Sequence, residues 1–331
     1  MKIKNLADLA GVSPSTVSKA FSGSHEVSEA TRERIFAIAR EQGVFEKYDK
    51  NRFCKRVIAV ICPEINSDYY NAVVTQFKKE IEARGAIMLL SINDFSSEKL
   101  EEVYSYYTAY AKVDGVILFS ARLRAVDPGV LLIPTVCYTQ STDEIAVDAV
   151  RVDHHPALRE AILDLKRQGP ERIGFAGEPL TKGRQRDFCD VMHEVGLVPY
   201  QKYCKVSDAR FEEAGARMMH EWIREGDMPT AIIAAYDYIA LGILRVLHEE
   251  GLRVPEDVAV IGYDDIPRAP YLSPSLSSIQ TPIEESCRLT VELMMKKIDD
   301  HYYFSSKDTV LSAQYIPRES SGGKQSESKR G

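Results

Sequence analysis

Several side chains that follow short apolar runs have the chemistry of polar recognition. VIAVIC is followed by PEINSDYY, IGFAG by EPLTKGRQRDF, IIAAY by DYIALG and VAVIGY by DD. These stretches collect Tyr69, Tyr70, Arg184, Tyr236, Asp237 and Asp264, and His154 follows a further strand-like run. Aromatic faces, a guanidinium and carboxylates converging on a cleft suit a polar small molecule such as a sugar. Its hydroxyls need paired donors and acceptors, and its ring faces pack on aromatic rings. Tyr236 reads equally as core packing, and Trp222 in MMHEWI reads as core. Catalysis fits poorly. Asp264 and Asp265 are neighbours on one strand end and point in different directions, which argues against a shared acid and base. The chain has no GxGxxG, no Walker loop and no GxSxG. His154 and His155 lack further His or Cys at ligand spacing, so neither a metal nor a cofactor is expected.

Strands must place these residues at one edge. The runs VIAVIC, AIMLLSI, VDGVILF, IPTVCY, ERIGFAG, TAIIAAY and VAVIGY alternate with helical stretches. That alternation predicts doubly wound parallel sheets, with too many strands for one small sheet, and ligands bind beyond the carboxyl ends of such strands. A chain of 331 residues, 44% hydrophobic and 27% charged, is long enough for two or three globular units. No apolar run approaches the roughly 20 residues that span a membrane. The start, MKIKNLADLA, lacks the apolar stretch of an export signal, so a cytoplasmic location is expected. Cys54, Cys62, Cys137, Cys189, Cys204 and Cys287 form no CxxC pair and read as isolated thiols.

The first 56 residues have a different character. They carry eleven Lys or Arg against seven Asp or Glu, a net of +4, whereas the whole chain is −7 and the remainder therefore −11. A basic head on an acidic body implies a polyanion partner for the head and another task for the body. In KIKNLADLAGVSPSTVSKAF, Leu6, Ala10, Val12, Val17 and Ala20 fall where two short helices joined by a tight turn would bury them. Gly11 supplies the positive φ of that turn, and Ser13 followed by Pro14 caps and starts the second helix. A third helix is predicted from Ser28 to a stop at Gly43. In helix-turn-helix geometry the start of the second helix enters the major groove, which places Pro14, Ser15, Thr16 and Lys19 against base edges or phosphates.

The run IKNLADLAGVSPSTVSKAFSGSHEVSEATRERIFAIAREQG closely resembles the N-terminal signature of the LacI/GalR family of bacterial transcription regulators, and residues 229–279 resemble its effector domain. The resemblance implies a multidomain chain: a small all-α helix-turn-helix DNA-binding domain followed by a two-lobed α/β periplasmic-binding-protein-like effector domain. The expected boundaries are 1–43 for the head, 44–56 for a hinge or linker, and 57–318 for effector binding and dimerisation. Lobe 1 would take about 57–157 and 283–300, lobe 2 about 158–280 and 308–318. The polar, Gly/Ser-rich 319–331 reads as a disordered tail, without the leucine heptads of a tetramer. The implied partners are a double-stranded DNA operator, a sugar-like effector and a second copy of the chain. By position, Pro14, Ser15 and Lys19 would read bases, His25 would contact the groove or backbone, and Arg184 and Asp264 would bind ligand. The linker GVFEKYDKNRF departs from the family's GYxPNxxARxL, with Phe53 as the candidate minor-groove wedge. Tyr236 replaces the Asn of an AND triplet, and Ser67, Asp68, Tyr69 and Tyr70 stand in an NPFF-like segment. These departures leave a non-sugar ligand or a protein partner open as the controlling signal. A stand-alone solute-binding protein would have no use for the head.

Overall fold

The computed structural model describes residues 2–21, 24, 26–48, 55–111, 113–119, 133–139, 148–170, 172–299 and 308–323. His25, Phe53 and 324–331 lie outside the described residues. The chain divides into two compact units, Met1–Arg56 and Val57–Gly331.

The first unit holds α1 (Ile3–Ala10), α2 (Pro14–Phe21), α3 (Glu29–Glu41) and the short α4 (Phe45–Tyr48). Gly11 ends α1 at φ 64°. Val12 then donates to the Ala7 carbonyl at 3.0 Å, which reverses the chain into α2. Leu6, Ala7, Ala10, Val17, Ala20, Ile35 and Ala39 form the centre of the core. So few small side chains make a thin core, and an aromatic group extends it. Phe21 packs 5.0 Å from Phe36, 5.7 Å from Phe45 and 6.0 Å from Tyr48, centroid to centroid. This corrects the expected boundary: Val44, Phe45 and Tyr48 are apolar residues packed on the head core rather than free linker.

Among the described residues the second unit has two six-stranded sheets. Sheet 1 contains β1 (Val57–Cys62), β2 (Ile87–Ile92), β3 (Gly115–Leu118), β4 (Thr135–Thr139), β5 (Asp148–Asp153) and β11 (Asp308–Ser312), in the order β11-β5-β4-β3-β1-β2. All its neighbours are parallel. Sheet 2 contains β6 (Ile173–Gly177), β7 (Cys204–Val206), β8 (Ala231–Ala234), β9 (Ala259–Tyr263), β10 (Ser277–Gln280) and β12 (Gln314–Ile316), in the order β12-β10-β9-β8-β6-β7. Among the described residues only the edge strand β12 runs antiparallel there. Strands such as AVIGY and AIIA are buried throughout, as parallel strands covered on both faces must be.

Helices α5 (Asp68–Ala83), α6 (Ser97–Tyr106) and α11 (Ile283–Asp299) pack on sheet 1. Helices α7 (His155–Gln168), α8 (Lys182–Glu194), α9 (Phe211–Glu225) and α10 (Asp237–Glu249) pack on sheet 2. Trp222 is fully buried in this second core, with its indole N–H on the Lys202 carbonyl. The chain passes between sheets at His154, at Thr281–Pro282 and at Ala313. The three passages are tied together: His154 Nε2 lies 3.0 Å from Thr281 Oγ1, and the Ala313 amide donates to the Asp153 carbonyl at 2.8 Å.

Two further expectations change. Residues 308–312 belong to sheet 1, because they pair with β5, and only 314–316 join sheet 2. Residues 319–323, at the start of the expected tail, are ordered. Ser320 is fully buried, its hydroxyl donating to the Val260 carbonyl at 2.6 Å and accepting from the Ser277 amide at 2.8 Å. Serine hydroxyls here complete backbone hydrogen bonds, a role that composition alone does not reveal.

Candidate binding cleft and recognition helix

In the head, Ser13 Oγ accepts from the Thr16 amide at 3.0 Å and lies 2.7 Å from Ser15 Oγ. This cap fixes where α2 begins. Pro14, Ser15 and Lys19 are exposed and Thr16 is half-buried. Lys19 forms an ion pair with Glu26 on the solvent side. One short helix therefore presents small hydroxyl side chains and a proline ring with a cation near its end, a surface that can lie against DNA.

In the body, the two sheets point their strand ends at a common cleft. Arg184, in the first turn of α8, donates through Nη2 to Asp264 Oδ1 at 2.9 Å and through Nη1 to the Ala235 carbonyl. Its guanidinium carbon sits 4.6 Å from the centre of the Tyr263 ring. Burial works against the Arg184 charge, but the Asp264 carboxylate overrides it and raises the pKa. Asp264 itself holds φ at 94° and Asp265 at 49°, conformations that cost a side-chain-bearing residue about 1–3 kcal/mol each. The kink aims Asp264 at Arg184. From the opposite sheet come Tyr69 and Tyr70, with ring centroids 5.2 Å apart, and Phe119, 6.1 Å from Tyr70. Burial pushes the Tyr69 hydroxyl pKa well up, and so does Tyr138, its hydrogen-bond partner.

Two expected contacts prove to be structural. Asp237 is 0% exposed; its carboxylate accepts from the Ile266 amide at 2.8 Å and from Ser278 Oγ at 2.7 Å. It lies so close to Gly262 that a Cβ there would come within 2.0 Å of Asp237 Oδ1. As the first residue of α10 it turns down into its own lobe and braces the loop that carries Asp264. His154 is bound into the interlobe passage by Thr281 and lies 5.8 Å from the Tyr263 ring, ring to ring. Burial, then the Arg184 charge, pushes its pKa down to about 3. It is a hinge residue at the cleft floor. Tyr236 falls between the two expectations: its hydroxyl donates to Glu178 Oε2 at 2.8 Å and accepts from the Phe211 amide at 3.0 Å.

The sequence reading missed Glu64, Glu178 and Arg210. Arg210 follows β7 and donates to Glu64, which follows β1, at 2.8 and 3.1 Å. Its Nε also lies 3.4 Å from Glu178 Oε2. A second link across the cleft joins Arg268 to Asp68 at 3.2 Å. Position at a strand end was the available signal for Glu64, just as it was for Tyr69. Among the described residues there is no group of three or more His, Cys, Asp or Glu that could hold a metal.

Residues 2–43 match the model of the bacterial regulatory proteins of the lacI family, and residues 163–321 match that of a periplasmic binding protein-like domain. The first unit is thus similar to the lacI family of bacterial regulatory proteins, and much of the second to a periplasmic binding protein-like domain. The chain is 29% identical over 311 residues to the HTH-type transcriptional repressor CytR of Escherichia coli strain K12, covering 91% of this chain and 90% of that one. A solved structure of a transcriptional regulator CelR–cellobiose complex superposes with a TM-score of 0.68 and 28% identity, over 97% of this chain and 99% of that one. The lac repressor dimer bound to operator and an anti-inducer shares the fold, with a TM-score of 0.74 at 21% identity and the same coverage. Among the described residues no helix is long and apolar enough to cross a membrane.

Proposed function

We propose that this chain is a ligand-responsive transcriptional repressor that acts in the cytoplasm and has no catalytic role. As a homodimer it binds a pseudo-palindromic operator through α2, with Pro14, Ser15, Thr16 and Lys19 facing the major groove. A sugar-like molecule enters the cleft, where Arg184 and Asp264 hold its hydroxyls and Tyr69 and Tyr70 cover its apolar faces. The observation that carries this reading is the Arg184–Asp264 pair on the cleft wall of a chain whose first unit is a helix-turn-helix. A repressor named CytR and a regulator bound to cellobiose, similar over nine-tenths of the chain or more, support it.

The mechanism is linkage. A ligand that prefers one lobe angle shifts the population of operator-competent dimers, and the operator shifts ligand affinity by the same factor. The test begins with an operator enriched from random duplexes, followed by fluorescence anisotropy with and without sugars and nucleosides. Operator affinity that changes with one neutral ligand, in wild type but not in Arg184→Ala, is the expected result. No enrichment of any duplex, or a ligand response intact in Arg184→Ala, sinks the reading.

A further inference from the structure

Among the described residues three arginines face the cleft, and each is already held by a carboxylate of the chain. Arg184 is held by Asp264 at 2.9 Å within its own lobe, and Arg268 by Asp68 at 3.2 Å across the cleft. Arg210 is the most fully engaged. Both its terminal nitrogens meet the two oxygens of Glu64 from the opposite lobe, at 2.8 and 3.1 Å, and Glu178 lies 3.4 Å from its Nε. Its guanidinium carbon is 4.5 Å from the Phe211 ring centre and 5.4 Å from that of Phe95, so rings of both lobes flank it. Glu64 is only 6% exposed.

A fork-to-fork pair with a planar carboxylate is how a guanidinium binds a ligand's phosphate or carboxylate. Here the protein supplies that anion itself. Among the described residues four carboxylates, Glu64, Asp68, Glu178 and Asp264, face three guanidinium groups, a formal excess of one negative charge. His154 adds no cation at neutral pH, since burial keeps it neutral. An incoming anion would have to displace Glu64 and leave that carboxylate buried without a partner, which costs more than a new pair returns.

We infer that Glu64 is a built-in anion occupying the cleft's carboxylate-binding position, so that the effector is an uncharged polyhydroxylated molecule and its phosphorylated or acidic counterparts are rejected. This rests on the cleft being the effector site. The full-length protein tests it by thermal shift against inorganic phosphate at constant ionic strength. Wild type is expected not to respond. Glu64→Gln frees Arg210 and gains an apparent phosphate affinity at least tenfold tighter, and Glu64→Gln/Arg210→Gln loses that gain, which excludes phosphate on the head as its source. Glu64→Ser replaces Glu64→Gln if the amide variant does not fold. Calorimetry on ribose against ribose 5-phosphate and cytidine against its monophosphate adds the ligand arm. Phosphate bound by wild type through Arg210, no gain in the Glu64 variant, or a phosphate ester bound as tightly as its neutral partner would each overturn the inference. Operator anisotropy run in parallel separates the two failures: loss of DNA binding with the phosphate gain intact sinks the regulator, not the role of Glu64.

Discussion

The head and the cleft solve recognition in opposite ways. In the head the candidate side chains Pro14, Ser15 and Lys19 are exposed, and their partners lie within a few residues or on the surface. In the cleft Arg184, Tyr69 and Asp264 are enclosed and have partners inside the protein, Arg184 and Asp264 each other and Tyr69 the Tyr138 hydroxyl. A long, charged, hydrated partner can be met by presentation, because its phosphates remain partly in water. A small partner must be surrounded, and the groups that surround it need partners of their own while it is absent. The same substitution type should therefore act on stability in one region and on affinity alone in the other.

The widest gap is expected at Arg184. Arg184→Ala strands Asp264 in a mostly buried position and should lower the stability of the body by about 3 kcal/mol, since breaking a buried pair costs about that much. Urea unfolding measures it, and Arg184→Ala/Asp264→Ala should recover most of the loss. Acidification sharpens the contrast next. The pKa of His154 is depressed from 6.5 to about 3 in the folded protein, so the unfolded chain takes up the proton first. Stability falls as pH drops from about 6.5 towards 3, by up to about 1.4 kcal/mol per pH unit, and His154→Gln should flatten that slope. Equal slopes in the two proteins would remove His154 from the hinge. In the head, Ser13→Ala removes the cap of α2 and should cost about 1 kcal/mol by thermal unfolding of that unit. Lys19→Ala completes the series: stability moves by less than about 0.5 kcal/mol. Operator affinity falls about tenfold, and the salt dependence loses about one phosphate contact. A large stability loss at Lys19 would erase the distinction between the regions.

What could be read in advance follows the same division. The head was legible because its determinants are local: Ser13, Gly11 and the spacing of Leu6, Ala10 and Val17 all act within one or two turns. In the cleft, Arg184, Tyr69 and Asp264 were legible because they stand just past recognisable apolar strands. Arg210 was not, because the strand before it is three residues, CKV, with a half-polar face. Its partner Glu64 is 146 residues away, a separation that leaves no periodic trace. Asp237 satisfied the strand-end rule but stands at the first position of a helix, where the side chain turned towards Gly262 instead of the cleft. The stretch DTVLSAQYI looks like one strand for one sheet, yet it changes sheets at Ala313.

That change of sheets has a consequence for what the molecule can report. With three chain passages tied side by side at His154, Thr281 and Ala313, the lobes resemble two plates joined along a single line. Such a joint resists sliding and separation and leaves one easy motion, a change of angle. A surface on lobe 1 then has a single variable to read, however many hydroxyls a ligand displays inside. Chemically distinct compounds that close the plates to the same angle transmit the same message, and the chemistry that tells them apart ends at the cleft wall.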